Sequence, residues 1–197
     1  MVWYEADVRE VENRVAAVAE AKNRVVFYGS SSIRLWKTLG QDFPESKTIN
    51  LGFGGSTLAA CAWFFERLIL PVAPQSLVFY AGDNDLGDGR HPQEVYLFFC
   101  AFAEKMSRLL PGVPWYFLSI KVSPARWGLS KQIQETNALI RNELANVPDC
   151  RYVDMTTPLL APDGKPRREF FENDGLHLNP VGYRAWQQAL QQQATIF

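Results

Sequence analysis

The chain has 197 residues, with 20 Lys and Arg against 21 Asp and Glu, which gives a formal net charge of -1. A chain this close to neutral has no basic field of the kind that binds nucleic acid by neutralising its phosphates. Its residues are 47% hydrophobic and 21% charged, which is the composition of a globular protein rather than a disordered one. At this length we expect one compact domain over residues 1–197.

The sequence contains no run of 18 apolar residues, and its charged first ten residues include no apolar stretch. It therefore predicts neither a membrane span nor a secretory signal. The three cysteines are widely spaced and form no CxxC motif, so we expect three reduced, mostly buried thiols and a cytoplasmic protein. These cysteines are Cys61, Cys100 and Cys150.

Apolar runs of strand length alternate with longer segments of helical period. In chain order they predict a helix over 3–21, strands over 24–28 and 48–51, a helix over 58–70, a strand over 76–81, a helix over 92–110, a strand over 115–120, a helix over 130–147, a strand over 151–155 and a helix from 180 to about 193. Near-continuous apolar strands that alternate with helices favour a parallel sheet covered on both faces. Ligands of such sheets bind at the carboxyl ends of the strands.

Four short polar blocks lie where chemistry is expected. Three of them follow the first three strands, and the fourth precedes the last helix: residues 29–32 (GSSS), 50–55 (NLGFGG), 82–85 (GDND) and 174–177 (DGLH). Each block alone is typical of turns and helix caps. Together they supply a serine nucleophile, a histidine base, an acid to orient it and donors for an oxyanion, which are the groups that acyl transfer needs.

The chain has only two histidines. His91 precedes Pro92 at a predicted helix start, and we assign it no acidic partner on its own turn. Asp174 lies three residues before His177, which places both side chains on one side of a single turn. Asp174 can then accept from one ring nitrogen while the other nitrogen faces the serine.

The four blocks, in this order, resemble the SGNH (GDSL-type) hydrolase family. By register with the family's Gly-Asp-Ser block, Ser31 is the nucleophile. Gly55 matches the oxyanion glycine in an Asn-x-Gly-x-Gly-Gly pattern that platelet-activating-factor acetylhydrolase catalytic subunits share. Asn84 matches the oxyanion asparagine of Gly-x-Asn-Asp, and the Asp-x-x-His block places the acid and the base at Asp174 and His177.

This sequence departs from the family at one position, where Ser30 replaces the Asp of Gly-Asp-Ser. In the family that Asp is not the acid of the triad, so the change does not exclude activity. We interpret Ser30 and Ser32 as turn and capping residues.

The resemblance implies a three-layer α/β/α sandwich with a flavodoxin-like, five-stranded parallel sheet in the order 2-1-3-4-5. It also implies a serine esterase in which Ser31 attacks the ester, His177 takes and returns the proton, and Asp174 orients His177. The backbone N–H groups of Ser31 and Gly55 and the Asn84 amide would hold the oxyanion. No metal or organic cofactor is implied. The expected partner is a small-molecule ester, not a nucleic acid, and a homodimer is left open.

Candidate substrate contacts are Phe53, Arg126 and Trp127, because the oxyanion loop and the loop over 123–128 should border the site. The alternatives are a surface salt bridge for Arg126 and core packing for Trp127. The sequence shows no long apolar lid, so we expect a short, acetyl-type acyl group, with a carbohydrate as one candidate alcohol. Lysophospholipase or thioesterase activity on longer chains remains open.

Other classes of function fit less well. Residues 52–57 (GFGGST) follow a strand as a dinucleotide-binding loop would, but Thr57 stands where that motif has Gly or Ala. A non-catalytic binding module on the same fold is a further alternative. Asp83, Asp85 and Asp88 are clustered without His or Cys, so we interpret them as solvated loop carboxylates rather than metal ligands.

Overall fold

A computed structural model of the protein describes residues 1–17 and 23–193. Five parallel strands form one sheet in the order β2-β1-β3-β4-β5, which confirms the predicted topology. The strands are β1 (Val25–Gly29), β2 (Thr48–Gly52), β3 (Ser76–Tyr80), β4 (Trp115–Leu118) and β5 (Cys150–Val153).

Helices connect the strands and flank the sheet. They are α1 (Glu5–Ala16), α2 (Ser31–Arg34), α3 (Leu39–Asp42), α4 (Leu58–Trp63), α5 (Phe65–Leu68), α6 (Asp83–Gly87), α7 (Pro92–Leu109), α8 (Ser130–Glu143) and α9 (Pro180–Gln191). Short 3-10 segments cover Val2–Tyr4, Leu70–Val72, Pro124–Leu129, Leu144–Asn146, Thr157–Leu159 and Arg168–Phe170.

Three predicted helices differ from those observed. In the one predicted over 130–147, α8 ends at Glu143 and a 3-10 segment covers Leu144–Asn146. The helix predicted over 58–70 is broken at Phe64, whose backbone leaves helical geometry (φ -89°, ψ 7°) while its buried ring packs edge-on against Tyr4 and Phe53. The first helix ends at Ala16. The predicted continuation to residue 21, with Val18 in its apolar stripe, lies outside the described residues.

The sheet separates two hydrophobic clusters, which makes the three layers. Along β1, Val26 and Tyr28 point into one cluster while Val25 and Phe27 point into the other, as the period of two requires. Helices α1, α4, α5, α7 and α8 cover the first face, and α2, α3 and α9 cover the second. Both faces of β1 are therefore buried, which explains its unbroken apolar sequence.

Parallel registry aligns the strand ends where the site is expected. Gly29, the last residue of β1, lies opposite Gly52 of β2 and Tyr80 of β3. The three loops that follow these strands consequently leave the sheet side by side.

Two other expectations concern apolar segments and thiols. Among residues 1–17 and 23–193, no helix is both long and apolar enough to cross a bilayer. All three cysteines are free, Cys61 is buried, and Cys100 and Cys150 are half-buried.

Candidate active site

Ser31 begins α2 directly after the end of β1. Gly29 makes the sharp exit from the strand at φ +134°, where a Cβ would lie 1.8 Å from the Tyr80 carbonyl oxygen. The Ser30 N–H then donates to that same oxygen at 3.0 Å. This turn holds the half-buried Ser31 side chain at the carboxyl edge of the sheet.

His177 lies between Ser31 and Asp174, as the Asp-x-x-His block predicts. Its Nε2 is 3.0 Å from Ser31 Oγ, and its Nδ1 is 2.6 Å from Asp174 Oδ2. The other carboxylate oxygen of Asp174 accepts the backbone N–H groups of Leu176 and His177 at 2.8 and 3.0 Å. Asp174 is therefore fixed at both oxygens and presents one of them to the imidazole.

The electrostatics of this turn keep the Asp174 carboxylate charged. Partial burial would raise its pKa, but the Leu176 N–H and the His177 side chain outweigh that effect and lower the pKa to about 2. An ionised Asp174 stabilises a positive imidazolium on His177. The three side chains thus form a relay that can remove a proton from Ser31.

The candidate oxyanion donors lie on the two neighbouring loops. Asn84, on α6, donates from Nδ2 to the Ser56 carbonyl at 3.1 Å, which joins its loop to that of Gly55. Gly55 is exposed at φ +65°, a conformation that strains any residue with a side chain, and its carbonyl accepts from Tyr4 Oη at 3.0 Å. Both candidates are therefore held by bonds from outside their own loop.

Phe53 is not available to a substrate, so its prediction as a contact is wrong. Its side chain is fully buried and its ring packs against those of Tyr4, Tyr28 and Phe64. The Phe53 N–H donates to the Gly29 carbonyl at 3.0 Å. This bond continues the pairing of β1 and β2 by one residue and turns the ring into the core.

The alternative of a surface salt bridge is wrong for Arg126, because its acidic partner is buried, and its role as a substrate contact stays a prediction. Its Nη1 lies 3.2 Å from the buried Asp83 Oδ2, and its Nη2 donates to Asn84 Oδ1 at 3.0 Å. Only 19% of the Arg126 side chain is exposed. The Asn84 contact is a hydrogen bond, whereas Nη1 is buried beside Asp83 without a hydrogen-bond partner among the described residues.

Trp127 is 42% exposed, so the alternative of core packing is wrong for it. It lies in the 3-10 segment Pro124–Leu129, whose Ala125 N–H donates to the Gly175 carbonyl at 3.0 Å. That bond attaches the segment to the turn of Asp174 and His177. Trp127 stays a candidate substrate contact.

Two of the clustered aspartates are buried, so their interpretation as solvated carboxylates is wrong. Asp83 pairs with Lys121, a side chain only 1% exposed, as well as with Arg126. Asp85 is 1% exposed and accepts the Leu58 N–H at 2.8 Å, and burial raises its pKa to about 6. The sequence carries one signal for this network, because Lys121 lies between the apolar Ile120 and Val122 soon after β4. Asp88 is exposed, and no group of three or more potential metal ligands occurs in the part of the chain that is described.

Three polar residues near the blocks make contacts that the sequence does not predict. Ser30 occupies the N-cap position of α2, as predicted, but its buried hydroxyl has no hydrogen-bond partner among the described residues. Ser32 Oγ accepts from Lys121 Nζ at 3.1 Å. His91 does have an acid on its turn, since Glu94 accepts the His91 backbone N–H at 2.8 Å, and this contact caps α7.

A cavity of about 510 Å³ opens beside His177 and Asp174. Its lining surface is mainly apolar, although charged side chains contribute, and comprises Leu35, Lys37, Thr38, Glu172, Asp174, His177, Leu178, Pro180 and Tyr183. Neither Gly55 nor Asn84 lines it. Ser31 does not line it either, so the cavity borders His177 and Asp174 rather than the nucleophile or the oxyanion donors.

The profile of the GDSL-like lipase/acylhydrolase family matches residues 27–185. The fold is similar to a Streptococcus pneumonia protein assigned as a platelet activating factor, at 17% identity, TM-score 0.85 and coverage of 99% of this chain and 95% of that one. It is also similar to a GDSL-like lipase from Bacteroides thetaiotaomicron, at 21% identity, TM-score 0.80 and coverage of 95% of this chain and 97% of that one. A lipase/acylhydrolase from Enterococcus faecalis has 18% identity, TM-score 0.68 and coverage of 87% of this chain and 94% of its own. No curated protein matches the sequence.

Proposed function

Because this chain belongs to the GDSL-like lipase/acylhydrolase family and is an SGNH-type ester hydrolase, we propose that it cleaves esters with a short acyl chain through an acyl-enzyme on Ser31. The observation that carries this proposal is the relay from Asp174 through His177 to Ser31, with contacts of 2.6 and 3.0 Å. Nucleophile and base within hydrogen-bond reach, with the base held by an acid, are the arrangement that activates a serine.

In the first step Ser31 Oγ forms a bond to the ester carbonyl carbon while its proton moves to His177 Nε2. The imidazolium keeps its Nδ1–H on Asp174 and then gives the Nε2 proton to the leaving alcohol oxygen as the ester bond breaks. A water molecule repeats the sequence on the acyl-enzyme, with His177 as its base, and releases the acid and Ser31.

The negative charge on the carbonyl oxygen needs donors that are already in place. The backbone N–H groups of Ser31 and Gly55 and the second N–H of Asn84 Nδ2 supply them in this proposal. Two contacts near these donors support it: the Ser56 carbonyl takes the first N–H of Asn84, and Tyr4 holds the carbonyl of Gly55, which follows the Gly55 N–H in the chain.

The location of the cavity supports an assignment of the two halves of the substrate. A general acid must lie within hydrogen-bond reach of the oxygen it protonates, so the alcohol half belongs on the side of His177, where the cavity is. The acyl half then extends past Asn84 and the segment with exposed Trp127. Acyl methylene groups that stay in water there do not raise kcat/KM. Each methylene group that is buried would stabilise the transition state by about 0.8 kcal/mol and would raise kcat/KM accordingly.

The mainly apolar lining of the same cavity favours a second candidate, in which it holds a long acyl chain as in a lysophospholipase or thioesterase. The two candidates predict different rate series. With p-nitrophenyl esters of two to twelve acyl carbons, the short-acyl proposal expects kcat/KM to peak at two to four carbons. A steady rise through eight or more carbons supports the long-chain candidate.

Filling the cavity gives a sharper test. Thr38 lines it and is exposed, and Thr38→Phe would occupy part of its volume. We expect a raised KM for acetates of bulky alcohols and no change for methyl acetate, with Thr38→Ala as the control for the lost bond to Asp42. A selective loss of long acyl chains would contradict this assignment. Absence of ester hydrolysis by the wild type would favour a non-catalytic module.

A further inference from the structure

An ionic cluster lies buried behind Asn84 and consists of Asp83, Lys121 and Arg126. One oxygen, Asp83 Oδ2, lies 3.1 Å from Lys121 Nζ and 3.2 Å from Arg126 Nη1. The side chains of Lys121 and Asp83 are 1% and 6% exposed. Charges so far from water are costly to bury, and hydrophobic residues of the same volume often give equal or better stability. Stability alone therefore does not account for this cluster.

Lys121 anchors the cluster to the scaffold. Its ammonium has three N–H donors and meets three acceptors, which are Asp83 Oδ2 at 3.1 Å, Ser32 Oγ at 3.1 Å and Tyr80 Oη at 3.2 Å. Burial alone would raise the pKa of Asp83, but Lys121 and Arg126 lower it below its ordinary value. Asp83 is therefore a fixed anion against which a second cation can be oriented.

Arg126 is that second cation, and its other nitrogen reaches the oxyanion asparagine. Nη1 lies in ionic contact with Asp83 but makes no hydrogen bond among the described residues, and Nη2 donates to Asn84 Oδ1 at 3.0 Å. Gly87 leaves room for this reach, because a Cβ there would lie 2.7 Å from Nη2. The planar guanidinium separates its two nitrogens, so that one lies beside the carboxylate while the other donates to the amide oxygen in a fixed direction.

The contacts of the Asn84 amide fix which way it faces. Its oxygen accepts from Arg126, and its Nδ2 donates one N–H to the Ser56 carbonyl. Rotating the amide by a half turn would set NH₂ against the N–H donors of Arg126 and the amide oxygen against the Ser56 carbonyl. Both contacts would become repulsive, so the amide keeps one orientation.

We propose that Arg126 is a positioning residue for ester hydrolysis, which locks the Asn84 amide so that its second N–H faces the oxyanion. This inference rests on the proposed function, since it assigns Arg126 a role through the donor Asn84. Because the donor stabilises charge that develops in the transition state, loss of the lock should lower kcat and leave KM unchanged.

The test is a double-mutant cycle on p-nitrophenyl acetate. Arg126→Met keeps an unbranched stem and removes the donors, and we expect kcat to fall roughly 10- to 100-fold with KM within about twofold. In an Asn84→Ala background the same change should have no further effect, because its target is gone. Arg108→Met is the matched control, since Arg108 pairs only with the exposed Glu104 on α7 among the described residues, and it should keep full activity.

Arg126→Lys covers the case in which Arg126→Met does not fold. It keeps a cation beside Asp83, and we expect kcat to fall while the melting temperature stays near that of the wild type. The inference is overturned if Arg126→Met retains kcat within twofold of the wild type. It is also overturned if Arg126→Met lowers kcat as much in the Asn84→Ala background as in the wild type. Both outcomes require an active wild type, so they are distinguishable from failure of the proposed function, in which the wild type shows no ester hydrolysis.

Discussion

The hydroxyl of Tyr4 donates a 3.0 Å hydrogen bond to the carbonyl of Gly55 and so ties the amino-terminal segment to the candidate oxyanion loop. Tyr4 precedes the part of the chain that matches the family profile, residues 27–185. Its ring is buried and packs edge-on against Phe53 and Phe64. A residue outside the matched region therefore holds a peptide inside the site.

Tyr4→Phe should lower kcat for p-nitrophenyl acetate by about two- to tenfold, with little change in KM. The lost hydrogen bond is worth about 0.5–1.5 kcal/mol, and it constrains the glycine rather than the bound substrate. Steady-state kinetics at a temperature well below unfolding measure the effect. Tyr28→Phe is the matched control, because Tyr28 donates to the Cys61 carbonyl at 2.9 Å in the core. It should lose stability and keep kcat, and equal losses of kcat in both variants would contradict a local effect of Tyr4.

The adjacent serines should respond in opposite ways to replacement by alanine. Ser31→Ala should abolish ester hydrolysis, a loss of several orders of magnitude, because no other group replaces the nucleophile. Ser30→Ala should keep kcat and leave the free energy of unfolding unchanged or higher. The buried Ser30 hydroxyl has no partner among the described residues, and such a group costs about 1–3 kcal/mol. Kinetics and urea unfolding of both variants check this, and an inactive Ser30→Ala would reassign the nucleophile.

The sequence predicts those features of the molecule that depend on residues close together in the chain. Strand–helix alternation gives the sheet, and the three-residue spacing of Asp174 and His177 gives their contact. The order of the strands and the position of Ser31 opposite His177 came from the family resemblance, because 146 residues separate that pair.

The features that the sequence does not predict depend on the direction of a side chain or on a partner that is distant in the chain. Phe53 follows Gly52, which predicts a place beside the site. The Phe53 N–H instead donates to the Gly29 carbonyl, and the ring lies in the core. Asp83 and Lys121 are 38 residues apart, so the position of Lys121 between apolar residues indicates a buried partner but does not identify Asp83 as that partner. The role inferred for Arg126 depends on the same pairing.

Asp174→Asn should lower kcat by roughly 10³–10⁴. Its Oδ1 would still accept the N–H groups of Leu176 and His177, which leaves the new NH₂ group facing His177 Nδ1. Nδ1 would then accept rather than donate, Nε2 would carry the proton, and His177 could not take the proton of Ser31. Single-turnover kinetics measure the step directly. Asp163→Asn, on an exposed turn, is the control, and a loss below tenfold in Asp174→Asn would argue that the acid does not set the tautomer.

The last prediction concerns stability and uses the buried carboxyl of Asp85. Burial raises its pKa from 3.8 to about 6, so between these values the folded protein holds a proton that the unfolded chain has released. The stabilisation by this proton is complete below about pH 4 and is lost as pH rises through about 6. A shift of this size corresponds to about 3 kcal/mol.

Asp85→Asn removes this titration and keeps an oxygen that can accept the Leu58 N–H. The free energy of unfolding of the variant, relative to the wild type, should therefore increase from pH 4 to pH 7, by up to about 3 kcal/mol. Urea unfolding at several pH values measures the difference, and Asp88→Asn is the control because Asp88 is exposed. A difference that is constant across this range would mean that Asp85 titrates alike in the folded and unfolded chain, and that its buried position does not disfavour the charge.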